Sequence, residues 1–133
     1  MASRSQPPLS GRTQPPLART IFTFALGIIF VAAGASKLID HHQAVLDFTR
    51  WGVPAPDVLT IVVAIFELCA AALLMAGVAV RRVAVALAVE MLAALAFAGP
   101  VDGGGQLIVP PALAALCLGL AWLSGPRERV AAS

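Results

Sequence analysis

VLTIVVAIFELCAAALLMAGVAV, residues 58–80, is an apolar run of 23 residues with a single acidic side chain, Glu67, near its middle. At about 1.5 Å per residue it makes a helix of about 34 Å, enough to cross a hydrocarbon core of about 30 Å. A carboxyl group at that depth costs roughly 3 kcal/mol on insertion scales, so it needs a partner, a proton or a task. RVAVALAVEMLAALAFAG, residues 82–99, repeats the arrangement around Glu90. The rest of the chain agrees with a bilayer: of 133 residues, 59% are hydrophobic and 12% charged, and the mean hydropathy is +0.90. A chain of this size is one integral membrane domain, with no room for a separate soluble catalytic domain.

Working outward, residues 20–38 form a further apolar stretch of spanning length, and residues 107–124 a fourth. The expected fold is therefore all-α, an integral membrane four-helix bundle with spans at about 20–38, 58–80, 83–99 and 107–124. A secretory signal is the rival reading of the first run, with Ala33-Gly34-Ala35 resembling a cleavage site. The run is long for a signal's apolar region, and its removal would break the topology given below. Gly27 and Gly34, seven residues apart on one face, predict close packing against a neighbouring helix. Residues 1–19 hold four prolines and three arginines and read as a disordered cytoplasmic tail, with two Gln-Pro-Pro-Leu copies that reflect composition. Residues 125–133 form a second, charged tail.

The segment IDHHQAVLDFTRWGVPAPD, residues 39–57, carries most of the polar chemistry. Asp40 and Gln43 predict a capped short helix that Gly52 ends, lying in the headgroup layer of the first outer loop with Val45, Leu46 and Phe48 on its apolar side and Trp51 as interfacial anchor. Asp57 is placed to cap the second span. His41 and His42 are adjacent and point about 100° apart on a helix, a poor arrangement for one metal, so no metal site is expected and solvated surface histidines are the simplest reading. A proton relay or quinone contact is their functional alternative. Cys69 and Cys117 lie in apolar runs without a CxxC pattern and read as buried small hydrophobes. Arg81-Arg82 makes a tight turn, Gly99-Pro100 ends the third span, and Asp102-Gly103-Gly104-Gly105 is a flexible loop. Pro110-Pro111 fits the first turn of a fourth helix of about 15 residues, leaving residues 106–109 irregular and buried against protein.

Charge sets the topology. Arg4, Arg12, Arg19, Arg81, Arg82, Arg127 and Arg129 fall on one side of a four-span layout, against Lys37 and Arg50 with Asp40, Asp47, Asp57 and Asp102 on the other. The positive-inside rule then predicts that both termini are cytoplasmic. These basic residues are too scattered for a nucleic-acid footprint.

Glu67 is nine residues below Val58 and Glu90 nine below Gly99, so both lie about 13–14 Å deep and antiparallel helices hold them level. Glu67 shares its face with Thr60, Val63, Ala64, Ala70, Ala71 and Leu74; Glu90 shares one with Ala86, Ala93, Ala94 and Phe97. Lys37 is the nearest base, and its stem is expected to reach down only part of the way. Two close carboxyls share one proton more readily than they hold two charges. The candidate ligand or proton site is thus Glu67 and Glu90, with Lys37, His41 and His42 in reserve, and no self-contained catalytic residue set is visible.

In order along the chain, Arg19, Leu26-Gly27, Phe30, Gly34, Lys37-Leu38, Phe48, Gly52, Pro54, Glu67, Gly77 and Arg81 or Arg82 form a pattern that resembles the DoxX family of small four-helix membrane proteins, over about residues 19–91. The related methylamine-utilisation MauE family shares it through the second span, but its cysteine-containing segment after the third is absent. The resemblance implies an accessory membrane subunit of a quinone-linked oxidoreductase in the bacterial inner membrane; no haem, flavin or iron-sulfur ligand set is visible, so quinone is the candidate cofactor and a soluble oxidoreductase would supply the redox centre. It supports Lys37 and Glu67 as family-typical positions; Glu90 and the Pro110-Pro111 helix start lie outside the pattern. A small-molecule or proton-coupled carrier using Glu67 and Glu90, and a non-catalytic anchor with a MauE-like assembly role, are the alternatives. The partners this reading admits are the lipid bilayer, the soluble oxidoreductase and further copies of the chain.

Overall fold

The computed structural model describes residues 16–125, and the described residues are helical throughout, with no strand. Residues 1–15, with the first Gln-Pro-Pro-Leu copy, and the charged tail from residue 126 onward lie outside them. Four helices form the bundle: α1 (Pro16–Ile39), α3 (Pro56–Ala76), α4 (Val80–Asp102) and α5 (Val109–Leu123), with the short α2 (His41–Arg50) between the first two. Helices α1, α3 and α4 are long and apolar enough to cross a membrane, and α5 is a shorter apolar helix.

Packing sorts side chains by size. Large apolar residues such as Ile28, Ile65, Val89 and Trp122 point outward to lipid, while Ala64, Ala71, Ala84 and Ala88 are buried. Along α1 the buried residues Thr23, Leu26, Gly27, Phe30 and Gly34 trace one helical face. That face meets α3: a Cβ on Gly34 would lie 2.9 Å from the carbonyl oxygen of Ala64, and one on Gly27 would lie 2.8 Å from Met75 Cγ. The close-packing expectation for these glycines holds. Helix α1 packs along α3 and α4 along α5, while the two pairs touch each other more sparsely. Their shared core of Leu26, Phe30, Leu74, Leu87, Cys117 and Leu120 sits toward the end that carries Arg81.

Several local expectations change. Helix α3 stops at Ala76, where Gly77 adopts φ +72° and the amides of Gly77 and Val78 close onto Leu74 and Leu73, a Schellman pattern. The hairpin turn is therefore residues 77–79, and Arg81 and Arg82 lie in the first turn of α4, where the helix dipole disfavours cations and only the aqueous boundary explains them. Pro100 does not end α4, which continues to Asp102; with the helix this close to its end, the lost N–H costs one bond near the terminus. The following glycines lead into a single 3-10 turn at Gly104–Leu107, and Leu107, Ile108 and Val109 are exposed rather than buried against protein. Helix α5 starts with its prolines in the first turn, as the backbone argument requires. Asp40 occupies the N-cap of α2 without a side-chain bond, and Gln43 donates instead to Asp47 at 3.1 Å. Asp57 sits inside the first turn of α3, whose N-cap is Ala55. Cys117 is buried but Cys69 faces outward.

The backbone makes two substitutions informative. Gly34→Ala forces α1 away from the Ala64 carbonyl and lowers stability by about 1–3 kcal/mol, whereas Gly119→Ala, whose Cβ meets nothing within 4 Å, is neutral or stabilising by about 0.5–1 kcal/mol; thermal unfolding in detergent separates the pair. Ala79 is held at φ +48°, so Ala79→Gly relieves left-handed strain worth about 1 kcal/mol and raises the unfolding midpoint.

Candidate functional site

Lys37 projects from the last turn of α1, and Cα–Cβ bonds on a helix tilt toward its N-terminus. Its side chain therefore runs back one turn into the bundle, where Nζ donates to Ala33 O at 3.3 Å and to Glu67 Oε1 and Oε2 at 3.1 and 2.8 Å. On α3, which runs the opposite way, the same tilt lifts the Glu67 carboxyl toward it. The expectation that Lys37 reaches only part of the way is overturned: two opposed tilts close the gap, and a fully buried Glu67, 1% exposed, has a fixed cation.

Glu90 is the third member. Its carboxyl lies beside that of Glu67, close enough for a side-chain hydrogen bond, so the two sit together as the level-depth argument expects. Such a bond needs one proton between the carboxyls, since two carboxylates offer no donor. Lys37 engages both oxygens of Glu67, which leaves Glu90 as the carboxyl placed to supply that proton. Glu90 Oε2 is buried and has no hydrogen-bond partner. The Glu67 face is buried as its small residues predict. The Glu90 face is less so: Ala93 and Phe97 are exposed, and the glutamate sits at the margin of the stripe formed by Val83, Leu87 and Met91.

Between the two helix pairs lies a cavity of about 390 Å³. Lys37, Glu67 and Glu90 line it, with Phe30 and Met91 beside them and Asp40, Gln43 and Asp47 of the α2 region at its other end. Trp51, expected as an interfacial anchor, is half-buried and also lines the cavity, its ring 5.6 Å from that of Phe48. Its indole N–H donates to Asp102, which also accepts from Arg50 at 3.0 Å, so the end of α2 is tied to the end of α4. Sequence reasoning missed this tie and the place of Phe30 in the wall. Phe30, Ala33 and Lys37 do share one helical face, a readable signal; nothing local links residues 50 and 51 to 102.

His41 and His42 do not join the site. Both lie at the start of α2 outside the cavity lining; His42 is exposed, and His41 is half-buried with Nδ1 unpartnered. No group of three or more His, Cys, Asp or Glu side chains is arranged to hold a metal among the described residues.

No curated protein and no solved structure matches the chain. The DoxX family profile matches residues 19–100, more than half of its length, and takes in Lys37, Glu67 and Glu90 together. A membrane bundle with this family pattern along it has one placement: the chain belongs to the DoxX family.

Proposed function

We propose that this DoxX protein is an accessory subunit of a quinone-linked oxidoreductase in the bacterial inner membrane, and that the cavity between its helix pairs receives the quinone headgroup. The observation that carries this reading is the unpartnered, buried Glu90 Oε2 on the wall of a cavity of about 390 Å³, a size that suits a small ring ligand. The three N–H groups of Lys37 already face three acceptors, so Lys37 holds Glu67 rather than the ligand. Glu90 is left to accept a hydroxyl from the reduced headgroup, with Phe30, Phe48 and Trp51 supplying apolar and aromatic wall. Quinone supplies two-electron, two-proton redox chemistry when bound; the electrons pass to or from a centre on a soluble partner. The distribution of arginines supports a cytoplasmic location for both termini and the Arg81 end, with α2 on the opposite face.

Trp51 reports on occupancy. In a Trp122→Phe background, a short-chain quinone quenches Trp51 fluorescence with saturation, and Glu90→Leu weakens the affinity by about tenfold, the loss of one hydrogen bond. Quenching that rises linearly with quinone, as simple partition into the detergent gives, refutes the site. Lys37→Met tests the cluster itself: it leaves Glu67 buried without its cation and lowers stability by about 3–5 kcal/mol in thermal unfolding, and adding Glu67→Gln restores most of the loss.

A further inference from the structure

We propose that the proton held between Glu67 and Glu90 exchanges with water on the α2 face only, through the cavity and by way of Asp40 and Asp47, while the Arg81 half of the bundle is a dry seal. The inference rests on the cluster and the cavity and is independent of whether quinone fills it.

The two directions away from the cluster differ in kind. Toward the Arg81 end the next layers are Phe30, Ala71, Leu74, Leu87, Cys117 and Leu120, each at most 1% exposed. Thr23, also buried in that half, is turned onto its own helix and donates to Arg19 O at 2.7 Å. The other buried polar groups of that half are the Cys117 thiol and the unpartnered Ser124 hydroxyl, and among the described residues no hydrogen bond joins either of them to the cluster. Toward α2, the cavity that Glu90 lines is also lined by Asp40, Gln43 and Asp47, and Asp40 is exposed. Asp47 is held by Gln43 at 3.1 Å and Arg50 at 3.4 Å, both on Oδ1.

The groups facing the cluster can be named element by element. Helix α1 brings Lys37, whose donors are engaged; the α1–α2 turn brings Asp40; α2 brings Asp47; α3 and α4 bring the glutamates; α5 brings Val109, Pro110 and Leu113 to the cavity wall and, on the Arg81 side, the buried Cys117 thiol, near enough to interact with Glu90. Glu90 Oε2 is the free atom of the cluster, so proton transfer starts there and the carboxylates of Asp40 and Asp47 are the carriers between it and bulk water.

Single cysteines in the full chain, with Cys69 and Cys117 changed to alanine, test the direction. Val63→Cys and Ala94→Cys line the cavity, Ala71→Cys lies in the seal, and Thr49→Cys and Val78→Cys mark the α2 and Arg81 faces. In sealed membrane vesicles of both orientations, a charged, membrane-impermeant thiol reagent is expected to label Val63→Cys and Ala94→Cys only from the side that labels Thr49→Cys, and Ala71→Cys from neither. Labelling of the cavity cysteines from the Val78→Cys side, or from neither side, overturns the route. Because the face markers define the two sides, the result does not depend on which of them is cytoplasmic.

A second measurement retains the native cysteines. The carboxylic acid C=O infrared band that disappears in Glu90→Gln shifts on transfer to heavy water, and Asp40→Asn with Asp47→Asn slows that shift by about a hundredfold. An unchanged rate in the double variant, or no such band in the wild-type chain, overturns the relay.

Discussion

The ion pair of Lys37 and Glu67 depends on a geometric fact about antiparallel helices. Side chains lean toward the N-terminus of their own helix, so a residue near the end of α1 leans into the bilayer while its partner on α3 leans out of it. A lysine placed one turn from the end of a helix can therefore neutralise a carboxylate buried well inside the next one. The pair also needs α1 and α3 to be close, which Gly34 provides by admitting the Ala64 carbonyl where a methyl group would stand. Small residue, close seam and ion pair form one dependent series, and the proton proposed for Glu90 is its last member.

This series explains why two acidic residues in similar apolar surroundings have different chemistry. Glu67 is held by a cation on both oxygens and is almost completely buried. Glu90 has the neighbouring carboxyl on one side and an unpaired oxygen on the other. In the proposed reading the first is the charge that positions and the second is the carboxyl that carries the proton beside the cavity. The unpartnered oxygen and the cavity beside it are the two observations that favour a ligand or proton role for Glu90 over simple packing between helices.

Much of this is legible in the sequence, for identifiable reasons. Helix number, the small-residue faces, the prolines at the start of α5 and the equal depth of the glutamates all follow from period and rise, which are properties of the chain itself. Lys37 is recognisable as the nearest base, but its reach is not, because stem length leaves out the direction in which a helical side chain leans. Helix ends are the least legible part: Arg81 and Arg82 mark the water boundary rather than the turn, and Pro100 is tolerated within α4. Asp102 reads as loop in the sequence, since its partners Arg50 and Trp51 are some fifty residues away and no local rule joins them.

The hairpin at residues 77–79 joins two helices that belong to different packed pairs. Near that turn the pairs are locked by the shared core, and at the far end they are held apart by the cavity and bridged through α2 and Asp102. The arrangement is that of a clothes peg: a short stiff spring at one end, two rigid arms, and jaws about 30 Å away along helices of this length. With arms of that length a rotation of a few degrees at the hairpin corresponds to ångströms at the far end, which is the end that the Arg50 and Trp51 contacts with Asp102 tie together.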